Sequence, residues 1–299
     1  MKGKLKRSFP MLICIMYFCT LFPMSAVAYS GLSLNRTSVI LAKGETFSLK
    51  DTRAGNESIS WRSSKSSVAS VDQNGKIKAK KAGKATITAS VYGVEKTCSV
   101  TVKSSKKSAA LANYKAFLEQ DWLEWGSDAE SRYSIAKEHC GFQLIYVDND
   151  SVPELAVTFR GLTDEDDVIP RRGYLENMFT YRNGIVLCIG GGDRFQYYPK
   201  KGVFAEVYTI KGFKSKYYYK LSKGNANYLI RSAVCVLDED ERIMYGYVSE
   251  FYEDNYSQKI DKSTFKKRRK KYVGSTKRKD VKEENYRRNT SKNRKKYFS

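Results

Sequence analysis

The chain has 299 residues, with 54 Lys and Arg against 32 Asp and Glu, one histidine and 22 tyrosines. A single histidine excludes multi-histidine metal hydrolases, and abundant tyrosine disfavours an all-helical architecture because aromatic residues favour strands. The charge is uneven: residues 29–103 carry 13 basic and 5 acidic side chains, residues 104–258 carry 19 and 23, and residues 259–299 carry 18 and 4.

Lys2, Lys4, Lys6 and Arg7 precede an apolar run from Met11 to Met24, then Ala26-Val27-Ala28. This order predicts a secretory signal peptide over residues 1–28, cut before Tyr29. No later run reaches the roughly 18 apolar residues of a membrane span, so none is expected after cleavage. No LPxTG-like sorting signal is present, which favours release or non-covalent retention.

Residues 32–102 consist of short alternating runs separated by turn residues, the pattern of an all-β sandwich. Ala85, Ile87, Ala89 and Val91 share one face, and Cys98, Val100 and Val102 repeat the alternation. Trp61 is expected at the centre of the core. Asn74-Gly75 reads as a tight turn because both residues tolerate positive φ.

The same residues carry a resemblance. Gly44-Glu45-Thr46, Trp61-Arg62-Ser63-Ser64, Val68-Ala69-Ser70-Val71-Asp72, Asn74-Gly75-Lys76-Ile77-Lys78-Ala79 and Ala82-Gly83-Lys84-Ala85-Thr86-Ile87-Thr88 occur in the order seen in bacterial Ig-like group 2 domains. The closing Cys98-Ser99-Val100-Thr101-Val102 completes the pattern. The segment thus resembles modules of invasin- and intimin-like surface proteins. That resemblance implies an Ig-like sandwich serving as a spacer or adhesive unit, with no shared catalytic residues.

Residues 104–108 read as a polar linker. Leu111, Tyr114, Leu118, Trp122 and Trp125 recur at helical steps, predicting an amphipathic helix over 109–125. Eight β-runs follow between Phe142 and Tyr252, with a hairpin at Asn183-Gly184. They predict an α+β domain over 109–258, an antiparallel meander with the helix on one face or end. Leu144–Asp150, Pro153-Glu154-Leu155 and Thr180–Gly184 loosely resemble uncharacterised domains of secreted Firmicutes proteins, a likeness that carries no known activity. The predicted fold class is therefore mainly β, an Ig-like β-sandwich (29–103) followed by this α+β domain and a basic C-terminal segment (259–299). Spaced aromatics in that last segment favour a docked conformation, with a basic helix over 285–298.

Asp148, Asp150 and Glu154 form a short acidic loop, a weak calcium candidate because calcium takes several oxygens from one loop. The competing reading is a solvated turn; no other cofactor is expected. Lys266, Lys267, Arg268, Arg269, Lys270, Lys271, Arg287, Arg288, Arg294, Lys295 and Lys296 are the polyanion-binding candidates. Outside a cell their partner would be an anionic wall polymer or glycan, and export places nucleic acid below these. Gly190–Asp193 reads as a glycine-rich turn without a phosphate-loop lysine. Adjacent His139 and Cys140 would point to opposite faces of a strand, which opposes a Cys–His nucleophile. Tyr217 and Tyr219 share a face that would suit sugar stacking or cross-strand packing. Cys188 and Cys235 would either pair or stay as free thiols.

No catalytic motif is found, so the expectation is a secreted, envelope-associated binding or adhesion protein rather than an enzyme. It would be retained through its basic C-terminus and released by its deletion. The alternative is a secreted polysaccharide- or wall-acting enzyme with the Ig-like unit as accessory.

Overall fold

The computed structural model describes residues 31–53, 58–125, 133–160, 174–210, 213–222, 225–232, 236–237, 243–244, 247–251 and 257–299. The signal segment, Asp164–Asp167, Asp238–Glu241 and Cys235 lie outside them.

The first module contains β1 (Ser38–Ala42), β2 (Thr46–Ser48), β3 (Ser60–Ser63), β4 (Ala69–Val71), β5 (Lys76–Ala79), β6 (Gly83–Val91) and β7 (Val94–Lys103). Two sheets, ordered β1-β7-β6-β3 and β2-β5-β4, enclose an apolar core. The β1–β7 pairing is parallel and the other pairings are antiparallel. Ile87 lies opposite Cys98 and Ala85 opposite Val100, so both alternations point inward together. Leu41, Leu49, Ile77, Ile87, Cys98 and Val100 are fully buried. Trp61 differs from expectation: it is half-buried on a flank of this core, because its wide indole covers the Asn74-Gly75 turn rather than filling the middle. Gly75 has φ 74°, and a Cβ there would collide with the Leu49 carbonyl and lie 2.8 Å from the indole. Asp72 holds the turn by accepting from the Asn74 and Lys76 amides, both at 2.9 Å.

The helix α1 spans Lys106–Leu118, not 109–125. Residues expected in a linker start it: Ser105 caps the helix by accepting from the Ser108 amide, and Ser108 reciprocates, a capping box. Leu118 ends the helix, and Trp122–Trp125 form β8, paired with β9 (Tyr133–Ala136). The helical spacing of Trp122 and Trp125 was therefore coincidental. Trp122 is 60% exposed, whereas Tyr114 and Leu118 are fully buried.

Next come β10 (Cys140–Ile145), β11 (Glu154–Arg160), β12 (Tyr174–Arg182), β13 (Ile185–Gly192), β14 (Arg194–Tyr198), β15 (Val203–Ile210), β16 (Phe213–Ser222) and β17 (Asn225–Ser232). The small hairpin β18 (Val236–Leu237) and β19 (Ile243–Met244) precedes β20 (Tyr247–Phe251) and β21 (Ser257–Ile260). The basic segment supplies α2 (Lys262–Val273), β22 (Lys279–Asp280), β23 (Arg287–Arg288) and α3 (Ser291–Tyr297). The helix expected over 285–298 is thus only its last turns, because Arg287 and Arg288 are drawn into a sheet beside Phe142 and Gly141.

These elements form two antiparallel sheets, ordered β13-β12-β11-β10-β23 and β21-β20-β17-β16-β15-β14-β22. Alternation assigns their faces. Ala156 and Met178 face Phe195 and Phe204 across the space between the sheets, with Ile145, Val147 and Leu221. Their neighbours Leu155, Val157 and Phe179 turn outward onto α1 and Phe298. On the far side Val203, Ala205 and Tyr218 turn outward onto Phe265 and Val273 of α2. The domain is a four-layer helix–sheet–sheet–helix stack, rather than a single meander with a helix on one side. Short strands β22 and β23 each cover an edge that would otherwise present unpaired backbone groups.

The two modules are joined by more than the chain. The Asn183-Gly184 hairpin (φ 46° and 79°) rests on β1, where a Cβ at Gly184 would lie 2.8 Å from Val39 and 2.9 Å from Leu41. Ile185 packs against the first core, and Ala42 enters the second. Asn113 donates to the Ile40 carbonyl at 2.9 Å, and the Tyr181 hydroxyl donates to the Glu45 carboxylate.

Candidate polyanion-binding surface

Helix α2 is capped by Asp261, whose side chain accepts from the Ser263 amide at 2.7 Å and the Thr264 amide at 3.0 Å. Phe265 and Val273 are buried against Tyr198 and Tyr218, with the Phe265 and Tyr218 rings 6.0 Å apart. Residues near them in helical register, Arg268, Arg269 and Tyr272, are half-buried. The remaining face carries Lys266, Lys267, Lys270 and Lys271, all exposed, and no acidic residue lies within the helix. The sequence therefore makes one amphipathic helix whose charges are all positive. Lys277, Arg278 and Lys279 are exposed just beyond it.

The other candidates are separated from this stripe in chain and element. Arg287 and Arg288 are exposed on the edge strand β23, and Lys295 and Lys296 on α3. Arg294 must be withdrawn as a polyanion-binding residue. It is 9% exposed, and its Nη1 donates to the Asn289 carbonyl at 3.1 Å and to Asn289 Oδ1 at 2.7 Å. Asn289 Nδ2 in turn donates to the Leu118 carbonyl at 2.8 Å and to the Lys137 carbonyl at 3.2 Å. Arg294 is thus a bracket that holds α3 to the end of α1, with Glu119 3.8 Å from its Nε. Its position on a basic run concealed this, since burial depends on partners far away in sequence.

The acidic loop does not gather its three carboxylates around a common point. Asp148 accepts from the Asp150 amide at 2.9 Å. Asp150 accepts from the Val152 amide at 2.6 Å and pairs with Lys106 at 3.3 Å. Glu154 turns inward, 2% exposed, and accepts from the Val147 amide at 3.0 Å. Burial pushes its carboxyl up to about 8. Among the described residues no group of three or more His, Cys, Asp or Glu side chains is placed to hold a metal ion.

Sequence reasoning missed two further buried carboxylates. Alternation puts Glu176 and Glu206 on the inner faces of the sheets, where each is 6% exposed. Glu176 accepts from the Phe195 amide of the facing sheet at 2.8 Å. Glu206 accepts from the Gly191 amide at 3.0 Å, the Tyr219 hydroxyl at 3.0 Å and the Tyr208 hydroxyl at 3.2 Å, while burial raises it to about 7. Gly190–Gly192 are strand residues rather than a turn, and a Cβ on Gly190 would collide with the Glu206 carboxylate. Tyr219 stacks on Phe204 at 5.3 Å, and Tyr217 meets Tyr208 edge-on at 5.5 Å, so both are cross-strand packing partners.

His139 ends a short 3-10 turn (Lys137–His139), and Cys140 begins β10 as a buried thiol pushed up to about 12 by burial. No thiolate nucleophile is favoured there. Glu138, His139, Gly141, Tyr286, Arg287 and Arg288 line a cleft of about 360 Å³.

Comparison with known proteins bears out the family resemblance over the first module: residues 29–110 match the model of the bacterial Ig-like domain, group 2. Among curated proteins no match is found. Among solved structures, surface layer protein SbsC domains 1-6 aligns at 14% identity, covering 78% of this chain and 25% of that one, with TM-score 0.24. The S-layer protein SbsC domains 5-6 aligns at 15% identity, covering 62% and 88%, with TM-score 0.22. The chain thus spans a quarter of the length of the first. At such TM-scores these likenesses carry no weight for fold or function. Among the described residues no helix is long and apolar enough to cross a membrane.

Proposed function

We propose that the chain is a secreted, cell-envelope-associated binding or adhesion protein, held on anionic wall polymers by its basic segment. The observation that carries this reading is the α2 stripe of Lys266, Lys267, Lys270 and Lys271, fixed outward because Phe265 and Val273 anchor the opposite face. A rigid row of cations attracts a polyanion at long range and loses that attraction with salt. The group 2 Ig-like module supports a surface location.

Deleting residues 259–299 is a poor test, since Phe265, Val273, Val281, Tyr286 and Phe298 belong to the domain core. The test is a cell-wall pull-down comparing the full chain with K266Q/K267Q/K270Q/K271Q at low and high salt. A surface lysine is worth about 1 kcal/mol against an anionic interface at low salt. The expected loss is therefore at least about tenfold at low salt, with little difference at high salt. Equal retention of the two proteins would refute the reading.

A polysaccharide-acting enzyme is the second reading; its candidate acid is Glu206, a carboxyl that burial between the sheets, where it is 6% exposed, raises to about 7. Glycan cleavage abolished by Glu206→Gln would establish it.

A further inference from the structure

We infer that α2 is a polyanion-operated strap. Its cations oppose the docking of the helix that helps to close the seven-stranded sheet, and a bound polyanion removes that opposition and tightens the closure. The inference concerns regulation at the α2 stripe and rests on the proposed reading for the class of its ligand.

The opposition comes from charge. Lys262, Lys266, Lys267, Arg268, Arg269, Lys270 and Lys271 lie within a 12-residue helix that holds no acidic residue. Lys262 and Lys266, Lys266 and Lys270, and Lys267 and Lys271 stand one turn apart, a spacing at which like charges destabilise a helix. Among the described residues the ion pairs of the basic segment are Arg278–Asp280, Lys282–Glu284 and Arg294–Glu119, all outside α2. The Asp261 cap and the buried Phe265 and Val273 therefore hold the helix in place against its own repulsion. An exposed face needs only polar side chains, so packing does not call for this row of lysines.

The closure is coupled to α2 because the helix and β22 hold the same strand. Tyr198, at the end of β14, packs with Phe265 and Val273. Its neighbours Tyr197 and Gln196 pair with Lys279 and Asp280 of β22. Gln196 Nε2 donates to Asp280 Oδ1 at 2.6 Å, and the Val281 amide donates to the Phe195 carbonyl at 3.0 Å. The Val281 side chain then enters the core between the two sheets. Only residues 274–278 separate α2 from β22, so a helix that lifts from Tyr198 loosens the strand that covers the edge. A polyanion laid along the stripe meets its lysines in one row only while the helix is docked. It therefore binds the docked state better, and by linkage it stabilises that state.

The experiment follows hydrogen exchange at the Val281 amide in the full chain, since that amide reports the closure and lies outside the stripe. At low salt and without ligand, K266Q/K267Q/K270Q/K271Q should exchange there about three- to tenfold more slowly than the unsubstituted chain, the effect of removing three like-charge pairs. Sodium chloride should slow the unsubstituted chain toward the variant's rate, because salt screens exposed charges. Dextran sulfate at low salt, in about tenfold excess over its dissociation constant, should slow the unsubstituted chain about tenfold. It should leave the variant unchanged, and uncharged dextran should affect neither. Amides of β6 and β7 should not respond to any of these. Equal or faster exchange in the ligand-free variant would overturn the inference. So would dextran sulfate that fails to slow Val281, or that slows β6 and β7 to the same degree. Wall retention separates the two ideas. If the lysines are dispensable for retention but the exchange pattern holds, the wall reading falls and the strap stands. If retention needs the lysines but Val281 is indifferent to them, the strap falls and the wall reading stands.

Discussion

The Ig-like module and the domain that follows it solve the burial problem differently. In the first, inward positions are filled by aliphatic side chains, Phe47 and Cys98, and Thr88 is the one buried polar side chain among its described residues. In the second, Glu154, Glu176, Asn177, Gln196, Glu206, Asn289 and Arg294 are all buried. An apolar core asks only for alternation and volume, whereas a buried polar group costs stability unless a partner with good geometry meets it. The second domain finds many of those partners across sheets and in residues 259–299, while Asn177 Nδ2 and Gln196 Oε1 are buried without a hydrogen bond. Its fold is therefore less local and more dependent on conditions.

The largest expected break in this comparison comes from a chain ending at Gln258. It loses five buried apolar side chains, each worth about 2–5 kcal/mol, against a total stability of about 5–15 kcal/mol. Hydrogen exchange should then show protection abolished through β10–β17 but retained in β6 and β7. Protection surviving in both would mean that the basic segment is dispensable. Within the Ig-like module, Ile87→Ala should cost about 2–5 kcal/mol in denaturant unfolding, without changing the pH dependence of stability.

That contrast sharpens through Glu154 and Glu206. Burial raises them from 4.5 to about 8 and about 7. Between these limits the native state holds more protons than the unfolded state, so their contribution is fully present below pH 4.5 and is lost as pH rises toward 8. Thermal melts should show the second domain weakening across that window. Glu154→Gln, which keeps an acceptor for the Val147 amide, should flatten the slope; an unchanged slope would assign the pH dependence elsewhere. The smallest effect concerns the junction. Tyr181→Phe removes one hydrogen bond to Glu45, worth about 1 kcal/mol, and should separate the two melting transitions slightly rather than unfold either module.

The same difference explains what was legible beforehand. Ala85–Val91 and Cys98–Val102 announce their faces by period alone, and Asn74-Gly75 and Asn183-Gly184 announce their turns by backbone tolerance. The β-runs of the second domain are also visible, but not that they form two stacked sheets, because Phe204 and Val203 look alike until each has a neighbour. Trp122 and Trp125 matched a helical step by chance. Ser105 and Ser108 look like linker residues, yet the same pattern is a helix start. Glu206 was passed over and Arg294 assigned to the surface for one reason: charge reads as exposure until a distant partner is known. The basic run hid both an amphipathic helix and two edge strands, since its aromatics were sparse among lysines.

The edge closure by β22 and β23 also sets an order of assembly. Among the described residues the Ig-like module contains every partner of its own strands, so its pairings can form as soon as residue 103 has been synthesised. The next domain cannot: β10 waits for Arg287 and Arg288, and β14 waits for Lys279 and Asp280. Such distant pairings fold slowly, because a long loop must close before contacts repay it. Until then two raw sheet edges stand open to pairing with other chains. The lysines and arginines that flank β22 and β23 carry like charge, and once they are synthesised, repulsion between molecules whose edges are not yet covered would hold those edges apart.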